Sequence, residues 1–192
     1  MLKTEDVKEL LKDQILCGIV KDVGYNCENG SKYVEIRNVI FEADKPSIFN
    51  VYRDKERMDP QWYVTYYEPR INPQFDKCIQ YLVENPNTRR AILALNEEDE
   101  IFHPEGYVCT VFIHFFLDKI ADNEYATEYI VHLRSNDAID YPTDYKWNNK
   151  IYDRIINEVT KRTGWKLYKK NIIWNVDSLH VYSQFFDYII NN

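Results

Sequence analysis

Three short stretches of the chain carry side chains able to do more than pack. Arg89-Arg90 follows the helix-stopping run Asn85-Pro86-Asn87-Thr88, where paired guanidinium groups can fork onto carboxylate or phosphate oxygens. A solvated turn is the plainer account of the same pair. Arg134-Ser135-Asn136-Asp137 closes an apolar run and sets a cation, a hydroxyl and a carboxylate side by side; a structural ion pair explains these residues equally well. Cys109 stands between Val108 and Thr110, where a thiol is by default a small buried apolar residue. It turns reactive only when neighbouring cations stabilise the thiolate.

These residues depend on the elements that hold them. Thr4 to Ile19 is predicted to be a helix, with Thr4 as N-cap and Val7, Leu10, Leu11, Ile15 and Ile19 on the face that covers a sheet. Asn29-Gly30 is a two-residue turn signal, and the alternation from Tyr33 to Phe41 reads as a strand. Phe75, Cys78, Ile79 and Leu82 recur at three and four residues, which predicts a helix from Pro73 to Leu82, stopped by Asn85-Pro86-Asn87. Ala91 to Leu95 follows as a strand. Tyr107 to Leu117 and Ala126 to Leu133 are aromatic and β-branched, with the polar Asp118 to Glu124 between them, and predict an antiparallel pair at the sheet's centre. Trp147, Ile151, Ile155, Ile156 and Val159 predict a helix ending before Thr163-Gly164, and Ile172 to Tyr182 supplies the last strand or two. Mixed helices and strands without a β-α-β rhythm indicate an α+β domain.

Composition narrows the functional classes. The chain has 192 residues, 45% hydrophobic and 29% charged, which fits one globular domain spanning residues 1–192. With 31 acidic against 24 basic residues and a net charge of −7, no broad surface for nucleic acid polymers or anionic membranes is expected. Five glycines and no glycine-rich loop argue against a P-loop or dinucleotide fold. Cys17, Cys27, Cys78 and Cys109 show no paired spacing, so neither a metal knuckle nor a disulfide framework is expected. Met1 to Leu11 is charged, and the longest apolar stretch, Tyr107 to Leu117, is broken by Thr110 and His114. No signal peptide or spanning segment is therefore read, and a cytoplasmic protein is expected.

Taken in order, four motifs resemble those of the thymidylate synthase superfamily. They are Arg89-Arg90 in its context, Cys109-Thr-Val-Phe-Ile-His-Phe115, Arg134-Ser-Asn-Asp137, and Ser178-Leu-His180-Val-Tyr182. The likeness is closer to the bacteriophage deoxycytidylate hydroxymethylases, through Phe41-Glu-Ala-Asp-Lys-Pro-Ser-Ile-Phe49, Asp144-Tyr-Lys-Trp147 and the run from Ile172 to Ser183, and it extends from about residue 31 to the end. It implies an α+β domain with a large twisted mixed sheet flanked by helices, forming a homodimer through a sheet face. It also implies a pyrimidine nucleoside monophosphate as substrate and 5,10-methylenetetrahydrofolate as cofactor.

Residue roles come with the resemblance. Cys109 resembles the nucleophile that adds to carbon 6 of the pyrimidine, so that carbon 5 can attack the folate-borne methylene. Arg134 and Ser135 resemble phosphate ligands, while Arg89 and Arg90 would reach the phosphate in the partner subunit's site, and these cations would favour the thiolate. His180 and Tyr182 resemble the pair that binds the sugar 3′-hydroxyl, and Asp137 the aspartate that meets the pterin. Asp59 stands nearest the general acid's place, with Glu56 as its alternative.

Asp144 is the base-reading letter. Thymidylate synthases carry Asn in its place, whose amide complements uracil; a carboxyl group sharing a proton with a ring nitrogen fits cytosine. As an N-cap residue type, Asp144 could instead cap a helix starting at Tyr145. The chain also departs from the family. The loop from Arg134 to Asp144 is one residue shorter, which on an ungapped count puts Tyr145 on the base. Glu28 stands where a basic phosphate ligand is usual, the segment between Tyr67 and Phe75 lacks Tyr-Gly-x-x-Trp, and no folate-closing tail follows Asn192. The resulting expectation is hydroxymethylation of dCMP with water. The alternatives are a uridylate-type methylase or hydroxymethylase, and a non-catalytic nucleotide-binding dimer.

Overall fold

A computed structural model describes residues 1–23, 32–49, 51, 60–96 and 108–191. Strand β1 (Leu2–Lys3) leads into helix α1 (Thr4–Leu16), whose buried residues Thr4, Val7, Leu11 and Ile15 recur at three and four positions. The helix is shorter than its pattern predicts, and Leu10 and Ile19 are exposed. Gly18, at φ 67°, takes the left-handed conformation that ends it. Lys3, not Thr4, is the N-cap, and its N–H donates to Asp6 over 2.8 Å. Thr4 is already helical, with its N–H on the Asp44 carboxylate at 3.0 Å.

The remaining strands are β2 (Lys21–Asp22), β3 (Lys32–Ala43), β4 (Ile92–Ala94), β5 (Thr110–Ala121), β6 (Glu124–Leu133), β7 (Asn136–Asp137), β8 (Lys166–Lys169) and β9 (Ile172–Tyr182). They build a nine-stranded mixed sheet with the path β1-β3-β9-β6-β5-β4, in which β2, β7 and β8 pair with β3, β9 and β6. The predicted β5–β6 pair is antiparallel but is not the sheet's centre, since β9 and β6 lie in the middle and β5 is one strand from the β4 edge; its turn tightens to Asp122-Asn123, with Asn123 at φ 59°. Helices α2 (Pro60–Tyr66), α3 (Glu68–Glu84), α4 (Tyr141–Thr163) and α5 (Phe186–Asn191) complete the described elements. Crossovers of β-α-β type do occur: α1 lies between the parallel strands β1 and β3, and α4 returns the chain from β6 to the parallel strand β8.

Alternation decides which sheet face is covered. Ile113, Phe115 and Leu117 of β5 are buried with Tyr129 and Val131 of β6 and Trp174 of β9. They join one core with Val7 and Leu11 of α1, Ile79 and Leu82 of α3, and Ile155 and Val159 of α4. Each such side chain contributes about 1.5–3 kcal/mol by leaving water. On the other face Ile40, Ile92, Phe112, Phe116, Ile130 and Ile173 stay partly or largely exposed.

Two helix starts differ from the sequence reading. Helix α3 begins at Glu68 rather than Pro73, because Pro69 opens it and Pro73 falls in its early turns. Helix α4 begins at Tyr141 with Pro142 in its first turn and Asp140 as N-cap, and ends at Gly164, φ 72°. Asp144 therefore lies inside the helix and is not its cap. Among the described residues no helix is long and apolar enough to cross a membrane.

Candidate active site

Cys109 immediately precedes β5 and Arg134 immediately follows β6. The Arg134 N–H donates to the Cys109 carbonyl over 2.9 Å, adding a rung to the ladder that pairs Thr110 with Leu133. This rung brings the Cys109 Sγ within 3.7 Å of the Ser135 Oγ. Burial raises the Cys109 pKa above the ordinary thiol value, while the Arg134 charge and the Ser135 hydroxyl oppose the rise. The expected thiolate-favouring cation is thus present, but burial outweighs it. Cys78, by contrast, is driven to about 12 by burial alone. Cys17 is exposed, and Cys27 lies outside the described residues.

Asp144 as a residue keeps partial exposure, while protein atoms crowd its carboxyl. The Tyr63 hydroxyl donates to Oδ1 over 2.5 Å and the Asn136 Nδ2 to Oδ2 over 2.6 Å. Behind Asn136, the Trp174 Nε1–H donates to the amide oxygen at 3.2 Å. Burial pushes Asp144 up to about 6, with Asp140 and Asp137 adding to the push and the Tyr63 and Asn136 hydrogen bonds restraining it. Burial also raises Tyr63, helped by the nearby Asp144 charge, so its hydroxyl keeps its proton. Tyr63 stacks on Trp147 with centroids 5.4 Å apart, and Tyr67 meets Trp147 edge-on at 4.6 Å. The Tyr67 hydroxyl lies 3.4 Å from Thr110 Oγ1 and interacts electrostatically with both Cys109 and Asp144, which ties the thiol to the carboxyl.

The β7–β9 pairing brings in the next residues by setting Asp137 opposite His180. The Asp137 Oδ1 accepts the Ile139 N–H at 2.9 Å, and the His180 and Tyr182 rings lie edge to face at 5.1 Å. Opposite His180 on β3, Glu35 gathers hydrogen bonds from Lys21, Ser178 and Arg37. Burial works against its charge, but these donors win and hold it at about 2.

Arg89 and Arg90 do not join this group within one chain. Both are exposed in the turn before β4, where the Arg89 carbonyl lies 3.2 Å from the His114 Nε2. Five residues of extended β5 separate His114 from Cys109, roughly 17 Å at the usual strand rise. Asp59 and Glu56, the acid candidates, lie outside the described residues, as do Glu28 and the Asn29-Gly30 turn. Sequence reasoning gave no role to Tyr63, Tyr67 or Asn136. The i, i+4 spacing of Tyr63 and Tyr67 marks one helix face and could have found the tyrosines; no local signal marks Asn136. Among the described residues no group of three or more His, Cys, Asp or Glu is placed to hold a metal ion.

The β5–β6 hairpin of this mixed sheet thus sets a thiol beside Arg-Ser, and the following helix α4 carries the Asp144 carboxyl. The family model described as thymidylate synthase matches residues 40–192, and the chain belongs to that family. It is 26% identical over 206 residues to the deoxycytidylate 5-hydroxymethyltransferases of Enterobacteria phages T4 and T2, covering 86% of this chain and 81% of each relative. Thermostable thymidylate synthase A from Bacillus subtilis shares the fold with a TM-score of 0.61 at 15% identity, over 97% of this chain and 82% of that one.

Proposed function

We infer that the protein transfers a hydroxymethyl group to carbon 5 of dCMP, with Asp144 as the reader of the base. The observation that carries this reading is the Asp144 carboxyl with one donor on each oxygen, which we take as the floor of the recess that receives the base. Tyr63 and Asn136 occupy one acceptor site on each oxygen. About one further site remains on each, the number a two-point base edge needs. A neutral carboxyl offers a hydroxyl to the cytosine ring nitrogen and a carbonyl to the 4-amino group. With its pKa raised to about 6, Asp144 is poised to take up that proton. The phage relatives, named as acting on deoxycytidylate, support the same base.

Cys109 serves as nucleophile. Its thiolate forms a bond to carbon 6 and moves the double-bond electron pair to carbon 5, which takes up a carbon electrophile or a solvent proton; loss of the original carbon-5 hydrogen to solvent as a proton, with expulsion of the thiolate, restores the double bond. Arg134 and Ser135 hold the phosphate, and a bound dianion beside Arg134 keeps the cation in place next to the sulfur. His180 and Tyr182 orient the sugar. When bound, 5,10-methylenetetrahydrofolate would supply the one-carbon unit at the oxidation level of formaldehyde. The donor set fits it, since a pterin is rich in N–H donors and Asp137 offers a half-buried acceptor beside the recess. Asp59 is the acid. The half-exposed aromatic sheet face is the contact of a homodimer, which carries Arg89 and Arg90 to the neighbouring site.

The test is tritium release from carbon 5 of labelled dCMP and dUMP, with and without methylenetetrahydrofolate. Release from dCMP in excess of dUMP, with 5-hydroxymethyl product only when folate is added, is the expected result. Release from neither nucleotide under any condition would leave a non-catalytic binding dimer.

A further inference from the structure

We propose that Asn136, with its amide held by Trp174, dictates which oxygen of Asp144 carries a proton and so sets the base preference of the recess. The proposal rests on Asp144 reading the base and names what controls that reading.

The argument follows from donor and acceptor types. An indole N–H only donates, so the Asn136 end that faces Trp174 at 3.2 Å is its carbonyl oxygen. The other end, Nδ2, is then the group 2.6 Å from the Asp144 Oδ2, and an amide nitrogen also only donates. Oδ2 must present a lone pair whether the carboxyl is charged or neutral. A carbonyl oxygen accepts better than a hydroxyl oxygen, so Oδ2 is the carbonyl of neutral Asp144 and the proton sits on Oδ1, whose remaining lone pair accepts from the Tyr63 hydroxyl while the O–H is left for the base. Trp174 is wholly buried and Asn136 nearly so, which keeps water from satisfying a turned amide. Among the described residues, Tyr63 and Tyr67 from the α2 side, Asp140 from the α4 cap, Asp137 from β7 and the Cys109 thiol are the titratable groups around Asp144. Asn136 is thus a positioning residue. It orders the hydrogen-bond pattern that Asp144 shows to a base without touching the base.

Calorimetric titration of dCMP and dUMP across pH separates this role from a structural one. In the parent protein dCMP affinity should be flat at low pH and fall above a break near 6, where Asp144 loses its proton. Asn136→Ala removes a hydrogen bond to the charged form. The break should move upward by about one pH unit, and the preference for dCMP over dUMP should drop about tenfold. Trp174→Phe frees the amide to turn and should move both in the same direction by less. It also decides the matter if Asn136→Ala does not fold. A break that stays put in both variants, with only the melting temperature lowered, overturns the proposal. Failure of the base-reading itself looks different, with no break in the parent and the same dCMP affinity at every pH in the parent and in Asp144→Asn.

Discussion

Tyr63 and Asp144 lie 81 residues apart in sequence and meet hydroxyl to carboxyl over 2.5 Å. The contact joins α2 to α4 across the recess and is braced by the stack of Tyr63 on Trp147. Tyr63→Phe keeps the stack and deletes the donor. Unfolding free energy should fall by about 1–3 kcal/mol, and the Asp144 carboxyl should titrate above 6, because a hydrogen bond that restrains its rise is gone. Denaturant titration and carboxyl NMR measure the two effects.

Cys109→Ser should abolish both turnover and carbon-5 exchange while leaving dCMP affinity within about threefold, since Arg134 and Ser135 are untouched. Cys78→Ser should retain activity. Its thiol, held near 12 by burial, has no cation to ionise it. Equal damage from Cys17→Ser or Cys78→Ser would remove Cys109 from its role.

How much of this was readable beforehand depends on how local each signal is. Cys109 and Arg134–Asp137 were visible because strand alternation and a contiguous motif place them, and β5 and β6 pair as the pattern requires. Asp144 carries a cap signal as a residue type, but Pro142, a first-turn residue, starts the helix at Tyr141 and puts Asp144 inside it. Asn136 has no local signal, because its contact with Trp174, 38 residues later, comes from tertiary pairing that no window of sequence contains. The distance from Arg89 to Cys109 is likewise set by the β4–β5 register, not by any motif.

Arg89 and Arg90 stand too far from Cys109 to serve the same chain's thiol, so a shared site predicts complementation. Subunits of Arg90→Ala mixed with subunits of Cys109→Ser should regain activity, because each heterodimer contains one site with both groups intact. Sedimentation should show a dimer. A monomer without complementation would refute the shared site.

Glu35 offers a check on stability that is independent of catalysis. Its folded pKa, about 2, lies below the ordinary 4.5, so its contribution is fully present above 4.5 and is lost as pH falls toward 2. Glu35→Gln should cost about 1 kcal/mol at neutral pH, a figure kept small because Lys21 and Arg37 are largely open to solvent. Chemical denaturation of both proteins should show the gap closing between pH 4.5 and 2.

Asp144→Asn tests the base assignment most directly, because the structure fixes how the new amide must sit. The Asn136 Nδ2 faces the Oδ2 position and only donates, so the introduced carbonyl oxygen has to take that position, leaving the new NH2 toward the Tyr63 hydroxyl, which can accept. Toward the recess the variant then shows a donor at the Oδ1 position and an acceptor at the Oδ2 position. That is the pattern neutral Asp144 shows to the ring nitrogen and the 4-amino group of cytosine, whereas the ring N–H and carbonyl of uracil need the reverse. Each uracil mismatch leaves a buried group unpaired at about 1–3 kcal/mol, so the preference for dCMP should persist. The pH break in dCMP binding should vanish with the carboxyl. Because Asp144 is not a helix cap, any loss of melting temperature should be small and should not track the nucleotide ratio. Calorimetry of both nucleotides into both proteins across pH reads the ratio and the break. If the break persists in Asp144→Asn, the base-reading role passes to another group of the recess, and a turn of preference toward dUMP would show that Asn136 does not fix the amide.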